Sequence, residues 1–192
     1  MNQTPNSPTV GEAVADFVLP LCTGGDLSLE SLLLNKRGVV VVFWSGICSH
    51  CVRYDEYLNR CCDLHANIAL AAIACRQGET LTQVQDLVEQ RQLCFPVLFD
   101  SDRRLAHQWS IQTTPTALLL DARRVVTYRG PIDNYKYPQD PDYKPYLEQA
   151  IAAWTAGRPV ERPEIATFGC AVESVYYTLS KPFLPATKPH DD

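Results

Sequence analysis

The chain has 192 residues, 46% of them apolar and 20% charged, enough to bury the core of one domain. Seventeen Lys and Arg against 22 Asp and Glu leave a net charge of −5, which argues against a phosphate-binding surface and against nucleic acid as a partner. The longest β-like apolar run, Val39–Trp44, falls far short of the ~18 residues of a membrane span, so no membrane association is expected.

The opening residues carry neither a basic nor an apolar region of the kind that directs secretion. Eight cysteines at irregular positions are too few for a disulfide scaffold, and together these features predict reduced thiols in the cytoplasm. Asp16–Pro20 is a short apolar segment, and the turn at Thr23–Asp26 precedes a strand and helical turn over residues 27–34. Val39–Trp44, β-branched and aromatic throughout, reads as a strand buried on both faces, as in the centre of a parallel sheet. After Ser45-Gly46 the period changes. Ile47, Cys51, Tyr54, Leu58 and Cys61 recur at helical spacing, with Ser49 as a cap near the start.

A second strand is predicted at Ile68–Cys75, then a helix with Leu81, Val84, Leu87 and Val88 on one face. Phe95–Phe99 is a third strand and Leu105–Trp109 a helical turn. Thr116–Leu120 and Arg124–Tyr128 read as a hairpin, and Tyr143–Ala156 as the last helix, closed by Gly157 and Pro159. This order describes a mixed sheet covered by helices, an α/β fold, with Pro-rich loops and an extended tail.

The chemistry concentrates in Cys48-Ser49-His50-Cys51 at the strand-to-helix junction. A thiol at a helix N-terminus is stabilised as thiolate by unpaired N–H groups, and a second thiol one turn on lies within bridging reach. Attack by Cys48 on a substrate disulfide gives a mixed disulfide, which Cys51 then resolves. His50 can place a positive charge or hydrogen bond beside the Cys48 thiolate, and Arg53 adds charge from the helix surface. The same motif also occurs as a core pair or as half of a zinc site. For zinc, Cys61, Cys62 and His65 are the nearest further ligands, about 15–20 Å down the same helix.

These residues resemble the thioredoxin-like superfamily, in particular its redoxin branch, which holds the AhpC/TSA group and the TlpA/ResA-type thiol–disulfide oxidoreductases. Val10–Pro20 is similar to the redoxin opening, Val40–Cys51 to its strand, Trp and Cys-x-x-Cys, and Thr113–Thr116 to its Thr-Pro-Thr turn. The hairpin Leu118–Gly130 matches as well, and the separation of 64 positions from Cys51 to Pro115 fits a redoxin-type insert. The resemblance divides the chain into an arm (1–9), a thioredoxin-like domain (10–157) and a Pro-rich extension (158–192).

It implies that Cys48 is the exposed nucleophile and Cys51 the resolving thiol. Pro115 would be a cis-proline beside the disulfide, and Thr114 would offer backbone groups to an extended substrate. Trp44 borders this loop, as active-site support or as core. The tail sequence Phe168-Gly169-Cys170 is similar to a Gly-Cys ending found in the branch, and Cys170 becomes a third redox thiol if the tail folds back over the site. Packing of that cysteine on the sheet is the alternative.

Three departures stand out. Val42 falls where thioredoxin has a buried acid, Ile47 where it has Trp, and Tyr54 where TlpA/ResA-type proteins carry Glu; Asp55 is then the nearest carboxylate. The resemblance therefore implies a thiol–disulfide oxidoreductase without cofactor or metal, acting on protein or small-molecule disulfides with a thiol redox partner, in disulfide exchange or antioxidant defence. Two alternatives remain. One is a peroxiredoxin-like peroxidase, although Trp44, Ser45 and Ile47 supply none of the Pro or Thr that peroxide activation needs. The other is a copper- or zinc-binding carrier on the same fold.

Overall fold

The computed structural model describes residues 7–173; residues 1–6 of the expected arm and 174–192 of the expected extension lie outside the described residues. Two short strands, β1 (Val18–Pro20) and β2 (Asp26–Ser28), pair antiparallel ahead of helix α1 (Leu29–Leu33). The Ser28 hydroxyl caps that helix by accepting from the Ser31 N–H at 2.9 Å. The apolar run then becomes β3 (Gly38–Trp44), buried at every residue.

Helices α2 (Ser49–Val52) and α3 (Asp55–Leu64) follow, then β4 (Ile68–Ala74) and α4 (Leu81–Gln90), which opens with a Thr80/Gln83 capping box. Next come β5 (Val97–Phe99), α5 (Arg104–Gln108), β6 (Thr113–Thr114), β7 (Thr116–Asp121) and β8 (Val126–Gly130). Helix α6 (Tyr146–Thr155) and strand β9 (Cys170–Ala171) end the described chain.

The main sheet has the order β5-β4-β3-β7-β8, with β3 parallel to β4 and antiparallel to β7. Side chains of β3 alternate between two cores, as a strand period of two requires. Val40, Val42 and Trp44 join Cys48, Cys51, Tyr54, Leu58 and the α6 residues Leu147 and Ile151. Val39, Val41 and Phe43 join Leu29, Leu105 and Trp109 on the opposite face. The expected mixed, helix-covered sheet is therefore present, and the stretch from Cys51 to Pro115 holds the successive strand–helix pairs β4–α4 and β5–α5.

Three boundaries differ from the periodicity. The helix read through Ile47–Cys61 is broken between α2 and α3, where the Tyr54 N–H bonds the Cys51 carbonyl, an i→i−3 step that tightens the turn. Cys48, not Ser49, occupies the N-cap position, without a side-chain capping bond. The last helix begins at Tyr146 because Pro145 bars Lys144 from helical geometry.

Candidate redox site beneath the C-terminal strand

Strand β3 delivers the site. Trp44, fully buried at its end, donates its indole N–H to Asp55 Oδ1 at 3.0 Å, and Arg91 holds the other carboxylate oxygen at 3.1 Å. Arg91 also donates to the Gly46 carbonyl at 2.7 Å. A Cβ on Gly46 would come within 2.5 Å of Leu87 Cδ1 and 3.1 Å of the Trp44 ring, so a side chain here would have to displace both. Ile47 then leads to Cys48 at the N-terminus of α2, and Cys51 follows within the same turn, its N–H bonded to the Cys48 carbonyl at 2.9 Å.

From the opposite side comes the loop between β6 and β7. The Thr114–Pro115 peptide is cis, as the resemblance implied. The Thr114 carbonyl oxygen lies 3.4 Å from Cys48 Sγ.

The two motif cysteines do not form the bond. Cys48 is joined instead to Cys170, with Cα atoms 6.0 Å apart, inside the usual range for a disulfide. The reason lies in backbone pairing: β9 runs antiparallel to β6 with Cys170 opposite Thr114 and Ala171 opposite Thr113. The Val172 N–H adds a bond to the Gln112 carbonyl, and the Val172 side chain enters the second core. Arg103 and His107 both reach Glu173, at 3.2 and 3.0 Å. Cys48, expected to be exposed, consequently has no accessible surface.

Cys51 is a buried thiol. Burial, reinforced by the nearby carboxylates of Asp55 and Glu79, pushes its pKa up to about 12, against a smaller opposing contribution from hydrogen bonding by Thr114 and the Ser45 backbone. Burial also raises Asp55, against the donors on Trp44 and Arg91, and raises Glu79, against polar groups from Ser45 to Ile47. Glu79 Oε1 accepts from the Ile47 N–H at 3.3 Å, while Oε2 is buried with no hydrogen-bond partner among the described residues. Asp55 was the carboxylate legible in the sequence; Glu79 was missed. Its one signal is its place just beyond the carboxyl end of β4, the edge of a parallel sheet where α/β folds build sites.

His50 stands between two rings, 4.9 Å from Tyr135 and 5.2 Å from Phe168 between centroids. Ser49 is exposed on α2. Arg53, rather than standing free on the helix, is stacked over Tyr135 and Tyr137, and it pairs with Asp133 at 3.8 Å. Tyr54 donates its hydroxyl to the same Asp133. Among the described residues no three His, Cys, Asp or Glu side chains are grouped to hold a metal ion, and no helix is long and apolar enough to cross a membrane.

Against known proteins, the AhpC/TSA family model matches residues 10–129, which is more than half of the chain. The chain belongs to the AhpC/TSA family. Within the redoxin branch of the thioredoxin-like superfamily, this AhpC/TSA chain is 28% identical over 112 residues to the thiol-disulfide oxidoreductase ResA of Bacillus cereus, covering 58% of this chain and 64% of that one. ResA of Geobacillus kaustophilus is 27% identical over the same length, with 58% and 63% covered. The chain thus spans a little under two thirds of the length of these relatives. A hypothetical protein of Sinorhizobium meliloti has a solved structure at TM-score 0.77 and 28% identity, covering 87% of this chain and 95% of its own. StoA of Bacillus subtilis is similar at TM-score 0.52 and 26% identity, covering 62% and 89%.

Proposed function

We propose that this protein is a thiol–disulfide oxidoreductase in which Cys48 exchanges disulfide bonds and Cys51 serves as its buried partner thiol. The observation that carries the reading is that one sulfur, Cys48 Sγ, is already bonded to a thiol 122 positions away while a second thiol waits one helical turn from it. The ResA relatives named for this activity support it. A Cys48 thiolate attacks a sulfur of a protein disulfide, forming a mixed disulfide and releasing one substrate thiolate. Attack by a second protein thiol on Cys48 Sγ releases the other substrate thiolate and leaves a protein disulfide. The substrate gains two electrons and the protein loses two, which a dithiol redox partner restores.

His50, Thr114 and Pro115 flank this chemistry: His50 borders the cleft through its ring contacts, and the Thr114 backbone holds an extended strand. We place the working compartment in the cytoplasm, on the strength of the unpaired buried thiols of Cys22, Cys61 and Cys75, which suit a reducing environment.

The test is to equilibrate the protein with graded glutathione ratios and trap its thiols for mass spectrometry. The expected outcome is a reversible two-electron transition centred on Cys48, together with catalysed reduction of a protein disulfide, both abolished by Cys48→Ser. A Cys48→Ser protein that still reduces protein disulfides at the wild-type rate would refute the assignment.

A further inference from the structure

Residues 167–172 lie where an extended polypeptide must lie to bring a cysteine onto Cys48. The backbone of β9 is held by strand pairing with β6, which any sequence can make. The side chains around it are more demanding. Gly169 sits so close to the cis-proline loop that a Cβ there would meet the Thr114 carbonyl oxygen at 2.0 Å and its carbon at 2.8 Å. Both obstacles are backbone, so the cleft admits only glycine immediately before the cysteine.

One residue earlier, Phe168 makes T-shaped contacts with His50 at 5.2 Å and with Tyr135 at 6.0 Å. It borders a cavity of about 310 Å³ lined by Pro115, Ile132, Tyr135, Tyr146 and Ile165. Phe168 itself stays 67% exposed, so this contact is a surface seat and not core packing. Arg53 stacks over the Tyr135 ring of the same aromatic group, 4.5 Å from its centroid.

We infer that this segment is a resident copy of the substrate: the cleft recognises, in a partner polypeptide, an extended stretch with an aromatic residue, glycine and cysteine in succession. The inference rests on the oxidoreductase reading and names the substrate class of that site. While Cys170 is bonded to Cys48, the chain's own segment excludes any other. Reduction of that bond leaves the segment held by strand pairing and side-chain contacts alone, and a partner carrying the same pattern competes for the cleft against a tethered rival.

The test uses the full chain carrying Cys51→Ser and Cys170→Ser, so that Cys48 is the cleft's reactive thiol. Its probes are three hexapeptides whose cysteine carries a thionitrobenzoate disulfide: one copying residues 167–172, one with the Phe replaced by Ala, and one with the Gly replaced by Val. The Cys48 thiolate attacks the peptide sulfur, the peptide–thionitrobenzoate bond breaks, and the coloured thionitrobenzoate anion leaves with the electron pair. Cys48 becomes disulfide-bonded to the peptide, and no other oxidant takes part.

The parent peptide is expected to react at least about tenfold faster than either altered peptide, a difference of one decade in recognition. The serine-bearing resident segment competes equally with all three, so it leaves their ratio unchanged. Rates equal within about twofold would overturn the inference while leaving the oxidoreductase reading standing, provided a small aromatic disulfide still labels Cys48. Failure of that small reagent as well overturns the oxidoreductase reading and this one with it. Should the double variant fold poorly, Cys170→Ser alone, followed by release of free peptide thiol through Cys51, must give the same ranking.

Discussion

At the scale of single residues, the site joins a thiol that must react to one that its surroundings keep protonated. Cys51 titrates at about 12 because burial disfavours its thiolate and two neighbouring carboxylates repel it. Below that value its thiolate fraction rises about tenfold per pH unit, so the step in which Cys51 attacks Cys48 Sγ accelerates with pH throughout the neutral range. Removing one carboxylate charge must lower the Cys51 pKa. Glu79→Gln is therefore expected to move the Cys51 titration down by up to about one unit, giving up to about tenfold more thiolate at fixed pH. The measurement is ultraviolet thiolate absorbance of the Cys48–Cys170-bonded protein, with Cys51→Ser as baseline. An upward or absent shift would show that the Glu79 carboxylate does not act on Cys51 through its charge.

Among the elements, β9 has the largest consequence for its length, because two residues beside β6 decide which cysteine Cys48 meets. A side chain at position 169 cannot coexist with that pairing. Gly169→Val is accordingly expected to lift β9 away and abolish the Cys48–Cys170 bond, so that in air-oxidised protein Cys48 pairs with Cys51 and Cys170 becomes open to alkylation, at least about tenfold faster than in the parent protein. Peptide mapping after thiol trapping reads both effects; an intact Cys48–Cys170 bond in this variant would contradict the packing.

The larger elements were legible beforehand. The Val39–Trp44 run marked the central strand, and the spacing of Leu81, Val84 and Val88 marked α4, because both bury enough apolar surface to impose a period. Strand β9 imposes none: two residues cannot alternate, and their pairing depends on β6, more than fifty residues away. The interruption at Tyr54 was equally hidden, since the apolar stripe continues unbroken across it. Cys48, Cys51, Thr114 and Pro115 stood out through their local motifs. Gly169 and Cys170 stood out as a Gly-Cys ending, but the need for glycine at 169 did not, and Glu79 did not stand out at all, because each acts through a neighbour distant in sequence.

Across the whole molecule, the Cys48–Cys170 bond ties the edge of the central strand to the end of the described chain, closing a loop of 122 residues. Constraining the unfolded chain to that extent corresponds to about 5 kcal/mol of folding stability by loop entropy, whereas a Cys48–Cys51 bond, closing about four residues, corresponds to about 2. The two oxidised forms should therefore differ in resistance to unfolding by up to about 3 kcal/mol, and both should exceed the reduced protein. Cys51→Ser traps the first form and Cys170→Ser the second. Denaturant titration of each, oxidised and then with excess dithiothreitol, gives the differences within a single variant, so the cost of the substitution itself cancels. The expected order is the Cys48–Cys170 form above the Cys48–Cys51 form above either reduced chain. Equal stability of the two oxidised forms would mean that the tail leaves the unfolded ensemble unconstrained, or that native strain offsets the gain. If the order holds, the exchange that opens the cleft also removes the protein's longest covalent constraint, and access to Cys48 becomes coupled to the stability of the entire fold.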